Sequence, residues 1–147
     1  MKRKQIILKV IEEQNKVIES LENSVNRYKI ASDLDEESTH DPEDFSHQTE
    51  AKDMQLRYEK MLRNAENDLN FLEKEIENPH ESIENGSIIE TETTLFFVGI
   101  SVSMIQLQNK ELISFSEEAP IYKDIKNKKI GDKLKIGENT HTIISIF

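Results

Sequence analysis

Cysteine and tryptophan are absent from this 147-residue chain, and it has only four glycines and three prolines. Without cysteine, disulfides, thiolate zinc sites and a cysteine nucleophile are all excluded. The glycines are too widely spaced along the sequence to form a phosphate-binding loop. Hydrophobic residues make up 35% of the chain, below the roughly 45–50% typical of globular domains. We therefore expect an elongated arm joined to a small folded domain rather than one core spanning all residues.

Long apolar segments are also missing. The longest apolar run, residues 95–100, is far shorter than the ~20 residues needed to cross a bilayer. The amino-terminal segment is basic, but its apolar run covers only residues 6–8, which is too short for a signal peptide. These features predict a soluble, cytoplasmic protein that makes no membrane contact.

Acidic residues dominate the charge, and they are concentrated in one segment. The formal net charge is −10, and residues 32–53 contain nine acids and one lysine. Such a run is, by itself, typical of a solvated or disordered loop. An acidic chain is not expected to wrap nucleic acid, so any nucleic acid would be contacted only through a protein partner.

Heptad spacing on both sides of the acidic segment predicts two amphipathic helices. The first seam consists of Ile7, Ile11, Ile18, Leu21, Val25 and Tyr28, with Gln14 at the interrupted position. The second consists of Tyr58, Leu62, Ala65, Leu69, Leu72 and Ile76. Two narrow stripes of similar length predict an antiparallel coiled-coil hairpin over residues 1–78, with an acidic tip at 32–50 and Pro42 as the helix breaker. Thirty helical residues give an arm of roughly 45 Å, and a parallel coiled-coil dimer is the alternative.

The pattern changes to strands after a polar linker at residues 79–86. Residues 87–92, 93–100, 111–115, 133–136 and 140–147 have strand character, and a turn is expected at 137–139. Pro120 fits the first turn of a short helix over residues 120–127. The prediction is an α+β protein whose residues 87–147 form a small antiparallel β-domain with one short helix.

Few residues show a spacing that indicates chemistry. Acids between Asp33 and Asp44 occupy several positions of a calcium-binding loop, but Ser38 replaces its required glycine. The histidines have no paired metal-ligand spacing. What remains is a group of carboxylates at the end of an arm, where they cannot stabilise their own domain. Carboxylates in this position suit Mg²⁺ held in a partner's site.

Two motifs resemble the bacterial Gre family of transcript-cleavage factors, and the overall likeness extends over nearly the whole chain. Residues 119–132 are similar to a family segment of the C-terminal domain. The agreeing residues are Pro120, Ile121, Lys128, Lys129, Gly131 and Asp132. Residues 44–50 are similar to the family's tip motif, with agreement at Asp44, Ser46 and Glu50.

The resemblance implies an FKBP-like C-terminal domain that grips RNA polymerase through the agreeing residues of 120–132, while the hairpin enters the secondary channel. It implies a monomer that is not itself an enzyme but stimulates the polymerase's own cleavage of backtracked RNA. Asp44 then contacts an Mg²⁺ shared with the polymerase. His47 stands where the family has its second carboxylate, and Asp41 and Glu43 are close enough in sequence to replace it.

Two other functions remain open. The family also includes members that occupy the channel without stimulating cleavage, and His47 is a poor Mg²⁺ ligand compared with a carboxylate. A coiled-coil adaptor or chaperone-like protein unrelated to transcription is the alternative from another class. A proline isomerase is not favoured, because the β-domain has few aromatic residues for a proline pocket.

Overall fold

A computed structural model describes residues 3–36 and 42–147, with side chains described for 3–33 and 46–147. The chain begins with two 34-residue helices, α1 (Arg3–Glu36) and α2 (Pro42–Glu75). The remaining elements are β1 (Ile88–Glu90), β2 (Thr94–Val98), β3 (Ile105–Leu107), β4 (Lys110–Phe115), α3 (Pro120–Ile125), β5 (Lys133–Ile136), β6 (Asn139–Thr142) and β7 (Ser145–Ile146). The fold class is therefore α+β, as predicted.

Contacts divide the chain into two compact units. Residues 14–70 form one unit, and residues 1–13 form the other together with 71–147. The sequence predicted a hairpin over residues 1–78, a linker at 79–86 and a β-domain at 87–147, with residues 80–147 able to fold alone.

The unit of residues 14–70 consists of two helical segments that pack antiparallel within the one chain. The rings of Tyr28 and Tyr58 stack with centroids 5.5 Å apart. The Gln14 side-chain amide donates a hydrogen bond of 2.9 Å to the Ala65 carbonyl. Since the partner of the later α1 residue comes earlier in α2, the two segments run in opposite directions. The predicted packing of the two seams is confirmed.

The predicted acidic tip lies largely on helical backbone. Helix α1 continues to Glu36, and α2 begins at Pro42. Proline suits the first helical position, where its missing N–H would have no helical partner. Pro42, which was predicted to break the helix, therefore begins α2. Most of residues 32–50 belong to the end of α1 and the beginning of α2.

The other unit contains a five-stranded sheet in the order β3-β4-β2-β1-β7 and a two-stranded sheet of β5 and β6. The prediction of an antiparallel β-domain is wrong at one position, because β2 pairs parallel with β4. After β2 the chain passes through residues 99–104 to β3 at the sheet edge. It then turns back through β4, which lies between β3 and β2. The sheet is consequently mixed.

Two further differences concern short strands. Strand β3 was not predicted, and the expected final strand is divided into β6 and β7. The division follows from a change in hydrogen-bond partners: the Ile143 N–H donates to the Asp132 carbonyl, whereas the Ile144 N–H donates to the Glu90 carbonyl. The chain thus leaves the β5–β6 sheet and joins the larger sheet at this point.

The larger sheet is covered on both faces. Ile88 and Phe97 belong to one core cluster, together with Ile6, Ile7 and Leu72 of the helices. The second cluster lies on the opposite face and consists of Ile83, Ile89, Phe96, Val98, Phe115, Ile125, Leu134 and Ile143. The alternation of neighbouring residues between clusters follows from the two-residue period of a strand. Every residue of β2 is buried, as expected for a strand with both faces packed.

Candidate functional site

The predicted tip residues stand at the beginning of α2. Glu43 and Asp44 follow Pro42 in the first helical turn, but their side chains lie outside the part that the structure describes. Asp41 lies outside the described residues altogether. His47 is exposed on α2, three residues after Asp44, a spacing that brings two positions to one side of a helix.

A metal site made of described side chains is not present. Across the described residues, no group of three or more histidine, aspartate or glutamate side chains could hold a metal ion. In the sequence, the potential ligands nearest the beginning of α2 are the carboxylates of Glu43 and Asp44 and the imidazole of His47. Oxygen ligands match the preference of Mg²⁺, whereas imidazole does not.

Helix α3 contains the first two residues of the predicted partner-binding segment. Pro120 occupies the first turn and is exposed. Ile121 is partly buried and packs against the core cluster that contains Ile125. Pro120 is thus available for contact, while Ile121 contributes mainly to folding.

The segment after α3 forms a closed turn. The Asp132 carboxylate accepts a 2.8 Å hydrogen bond from the Lys129 backbone N–H, and the Asp132 N–H donates back to the Lys129 carbonyl at 2.9 Å. Gly131 has a φ of +95°, a conformation that costs glycine little, and its N–H donates to the Ile143 carbonyl. Gly131 and Asp132 therefore hold the turn that presents Lys128 and Lys129.

The same turn borders a cleft of about 450 Å³. Its lining includes Lys126, Lys128, Lys129 and Ile130 from this turn, Glu81 and Ser82 from the linker, and Ile146 from β7. Ile130 is 62% exposed, a high value for a large aliphatic side chain. The sequence interpretation missed Lys126 and Ile130, although the five lysines within residues 126–135 could have indicated them.

A buried ionic network connects the beginning of α1, the end of α2 and the linker. Arg3 forms a 2.7 Å ion pair with the Glu75 carboxylate and donates to the carbonyls of Glu75 and Phe147. Burial lowers the pKa of the Arg3 guanidinium, and the Glu75 charge opposes that shift. His80 places one ring nitrogen 2.8 Å from Glu75 and the other 2.7 Å from Glu84. The sequence analysis considered His80 only as a metal ligand and did not predict its contacts with Glu75 and Glu84.

Gly86 is required where the linker passes this network. Its φ is +99°, and a Cβ added here would collide with the Glu75 carboxylate and approach the His80 ring to 2.7 Å. Its N–H donates to the Val98 carbonyl at 2.6 Å. The network is therefore closely packed around its carboxylate, which favours a structural role over ligand binding.

A second, polar cleft of about 650 Å³ includes Glu92, Glu111 and His141 in its lining. Hydrogen bonds from its own backbone N–H and from Thr142 lower the pKa of Glu92. The His141 ring contacts Phe96 edge-on, with centroids 5.4 Å apart. These contacts attach β6 to β2 and to Glu92 just before it, so they explain the local fold without indicating a reaction.

No sequence model of a protein family matches the chain, and no curated protein is significantly similar to it. Within the described residues, no helix has both the length and the apolar character needed to cross a membrane.

Proposed function

We propose that this chain is a Gre-type transcription elongation factor of the cytoplasm. In this proposal it binds RNA polymerase, inserts its helical hairpin into the secondary channel and stimulates cleavage of backtracked RNA. The supporting observation is the pair of 34-residue helices that pack antiparallel within residues 14–70. Only residues 37–41 separate the end of α1 from the beginning of α2, and acids are concentrated on both sides of that connection.

The C-terminal part is proposed to be FKBP-like and to anchor the protein on the polymerase. A mixed five-stranded sheet, with a short helix and a two-stranded hairpin inserted between β4 and β7, is compatible with that assignment. The closed turn at residues 126–132 gives a physical reason for two of the residues that resemble the family, Gly131 and Asp132. Their hydrogen bonds and backbone conformation hold the lysines in place.

At the tip, Asp44 would supply the carboxylate for an Mg²⁺ shared with the polymerase. When bound, such an ion would supply activation of a water for phosphodiester hydrolysis. His47 would lie beside this carboxylate without adding a second negative charge, and Glu43 or Asp41 would have to supply it. One carboxylate binds Mg²⁺ weakly, so we expect modest stimulation that requires high Mg²⁺.

Cleavage of labelled RNA in a stalled, backtracked complex tests this proposal. Asp44→Asn preserves the side-chain shape and removes its charge, so stimulation should be lost while polymerase binding persists. His47→Glu should raise activity and lower the Mg²⁺ requirement. Full stimulation by Asp44→Asn would remove that residue from the mechanism.

One observation favours a second candidate function. The position aligned with the family's second carboxylate is an exposed histidine, which suits a regulator that occupies the channel without stimulating cleavage. If neither the wild type nor His47→Glu stimulates cleavage while both bind polymerase, this second function replaces the first. If polymerase binding also fails, a coiled-coil adaptor becomes the better explanation.

A further inference from the structure

Residues 84–87, called here the linker turn, contain the only asparagine of the chain that is followed by glycine, Asn85. The Ser87 N–H donates to the Glu84 carbonyl at 3.0 Å, which closes the turn. Gly86 is its third residue and has a φ of +99°, as a type II turn requires. The Ser87 hydroxyl accepts a further hydrogen bond of 3.1 Å from the Glu84 N–H. Two hydrogen bonds therefore join the first and last residues of the turn.

An asparagine followed by glycine is chemically labile. The glycine nitrogen attacks the carbonyl carbon of the asparagine side chain, the new C–N bond closes a succinimide ring, and the side-chain nitrogen leaves as ammonia with the proton that the glycine nitrogen has lost. Water then breaks one C–N bond of the ring, its hydroxyl going to the carbonyl carbon and its proton to the nitrogen. The products are aspartate and isoaspartate, in which the main chain runs through the side chain. Glycine favours the attack because it has no Cβ to hinder it.

The fold restrains the nucleophile of this reaction. Gly86 is buried, and its N–H donates to the Val98 carbonyl at 2.6 Å. The Val98 N–H donates in turn to the Ser87 carbonyl at 3.0 Å, so the end of the linker turn is bonded to β2 in both directions. The Gly86 nitrogen cannot lose its proton and approach the Asn85 side chain while these bonds persist. Because Asn85 itself is exposed, water reaches its amide without any rearrangement.

We propose that Asn85 is a modification site controlled by the fold. It deamidates in molecules whose linker turn has detached from β2, and the isoaspartate product prevents the turn from closing again. Isoaspartate lengthens the main chain by one methylene group, and there is no space for another carbon at Gly86, where an added Cβ would collide with the Glu75 carboxylate. The modified fraction therefore grows with the time that the turn spends open. This proposal is independent of the proposed function.

The modification would act on the buried ionic network. Glu84, the first residue of the linker turn, lies 2.7 Å from one ring nitrogen of His80. The other ring nitrogen contacts Glu75, which pairs with Arg3 of α1. Displacing the turn removes the Glu84 contact and exposes the Glu75 carboxylate beside Gly86. We therefore expect deamidation to weaken the attachment of the ends of both helices to the sheet.

Mass spectrometry of proteolytic peptides measures the reaction, because a carboxyl group is heavier than the amide that it replaces. The wild type is incubated at mildly alkaline pH, either folded or unfolded in guanidinium chloride. Deamidation at Asn85 should be at least about tenfold slower in the folded protein, since it then requires local opening. Asn139, which is exposed and followed by threonine, is the internal control and should react slowly in both states. Equal rates at Asn85 would overturn the control by the fold, and no reaction in the unfolded chain would overturn the site.

Ser87→Ala tests the linker turn specifically. It removes the hydroxyl that accepts from the Glu84 N–H and leaves the asparagine–glycine pair intact. We expect roughly fivefold faster deamidation in the folded protein, as the net loss of one hydrogen bond predicts, and an unchanged rate in the unfolded chain. Ser82→Ala, at an exposed position of the same linker, is the matched control and should behave as the wild type. Circular dichroism confirms folding, and equal rates for both variants would overturn the role assigned to the turn.

The effect of the product is tested on the modified protein itself. Deamidated molecules carry one more negative charge, so anion exchange separates them from the unmodified protein. Their urea midpoint should lie below that of the wild type and below that of Asn85→Asp, which has the same charge with a normal main chain. Equal midpoints for all three would show that the turn closes again after modification and would overturn the second half of the proposal.

Discussion

At the scale of single residues, Glu75 is a buried carboxylate with three side-chain partners. Its side chain is 9% exposed and contacts Arg3 and His80, while Asn78 donates to its other oxygen at 3.1 Å. A neutral imidazole can donate from only one ring nitrogen. His80 contacts two carboxylates. Both contacts are hydrogen bonds only when each ring nitrogen carries an N–H group.

Glu75→Gln should destabilise the protein substantially. The substitution leaves the Arg3 guanidinium buried without its counter-charge, a change that typically costs about 3–5 kcal/mol. Urea unfolding at neutral pH measures the loss. Glu73→Gln, an exposed position on the same helix, is the control and should change stability by less than about 0.5 kcal/mol. Equal effects of the two substitutions would show that the ion pair is unimportant.

Asp68 provides a pH-dependent prediction. Partial burial raises the pKa of its carboxyl group above the usual 3.8, so the folded state binds the proton more tightly than the unfolded state. The ionised form therefore opposes folding at neutral pH, and the penalty disappears as the pH falls below 3.8. Asp68→Asn should raise the free energy of unfolding slightly at pH 7 and have no such benefit near pH 3. Equal effects at the two pH values would contradict this.

At the scale of elements, the helical pair of residues 14–70 has a seam that is only partly closed. Among its large aliphatic and aromatic seam residues, Ile18, Tyr28 and Leu62 are half-buried, whereas Gln14 is 4% exposed and hydrogen-bonded across the pair. A polar residue at a seam position typically specifies alignment at some cost in stability. The seam therefore favours one alignment of the two helical segments over maximal burial of their apolar side chains.

Leu62→Asp should disrupt this pair. A charge in the apolar seam loses hydration without gaining a partner, so we expect a loss of several kcal/mol. Met61→Asp introduces the same charge at a neighbouring side chain that is 45% exposed, and its effect should be small. Thermal unfolding followed by helical circular dichroism compares the two. A dimer in the wild type that dissociates on Leu62→Asp would instead support an intermolecular coiled coil.

At the scale of the whole molecule, the sheet unit depends on residues from the beginning of α1 and from the end of α2. Ile6, Ile7, Val10 and Leu72 are fully buried in the cluster that also contains Ile88 and Leu112. The sheet residues alone therefore lack part of their own core. This arrangement bears directly on the predicted boundary at residues 79–86.

We expect the fragment 80–147 to fold poorly by itself. Losing the burial of four aliphatic side chains removes roughly 6–12 kcal/mol of stabilisation, comparable with the total stability of a small domain. A chain that joins residues 3–13 to 71–147 through a short flexible linker retains these side chains and should fold better. Amide dispersion in NMR spectra distinguishes the two. A well-dispersed spectrum for 80–147 would support the boundary that the sequence predicted.

Local patterns were sufficient for the helices and for several strands. The heptad spacing predicted both helices and their pairing, because burying one narrow stripe requires contacts only between neighbouring turns. Residues 87–92 and 93–100 were predicted to have strand character, and the strands β1 and β2 within them pair antiparallel. Pro120 correctly marked the beginning of α3. At the tip, the sequence alone supplies the proposal for Asp44 and His47.

Only the tertiary structure decided which distant groups meet. Arg3 and Glu75 are 72 residues apart in sequence, and no local period connects them. The parallel pairing of β2 with β4 depends on β3 occupying the sheet edge. Strand β3 has only three residues, too few for an alternating pattern to predict it. Ile130 is 62% exposed, which its aliphatic side chain alone does not predict. Sequence periodicity determines which face of an element is apolar, whereas long-range packing determines what that face meets.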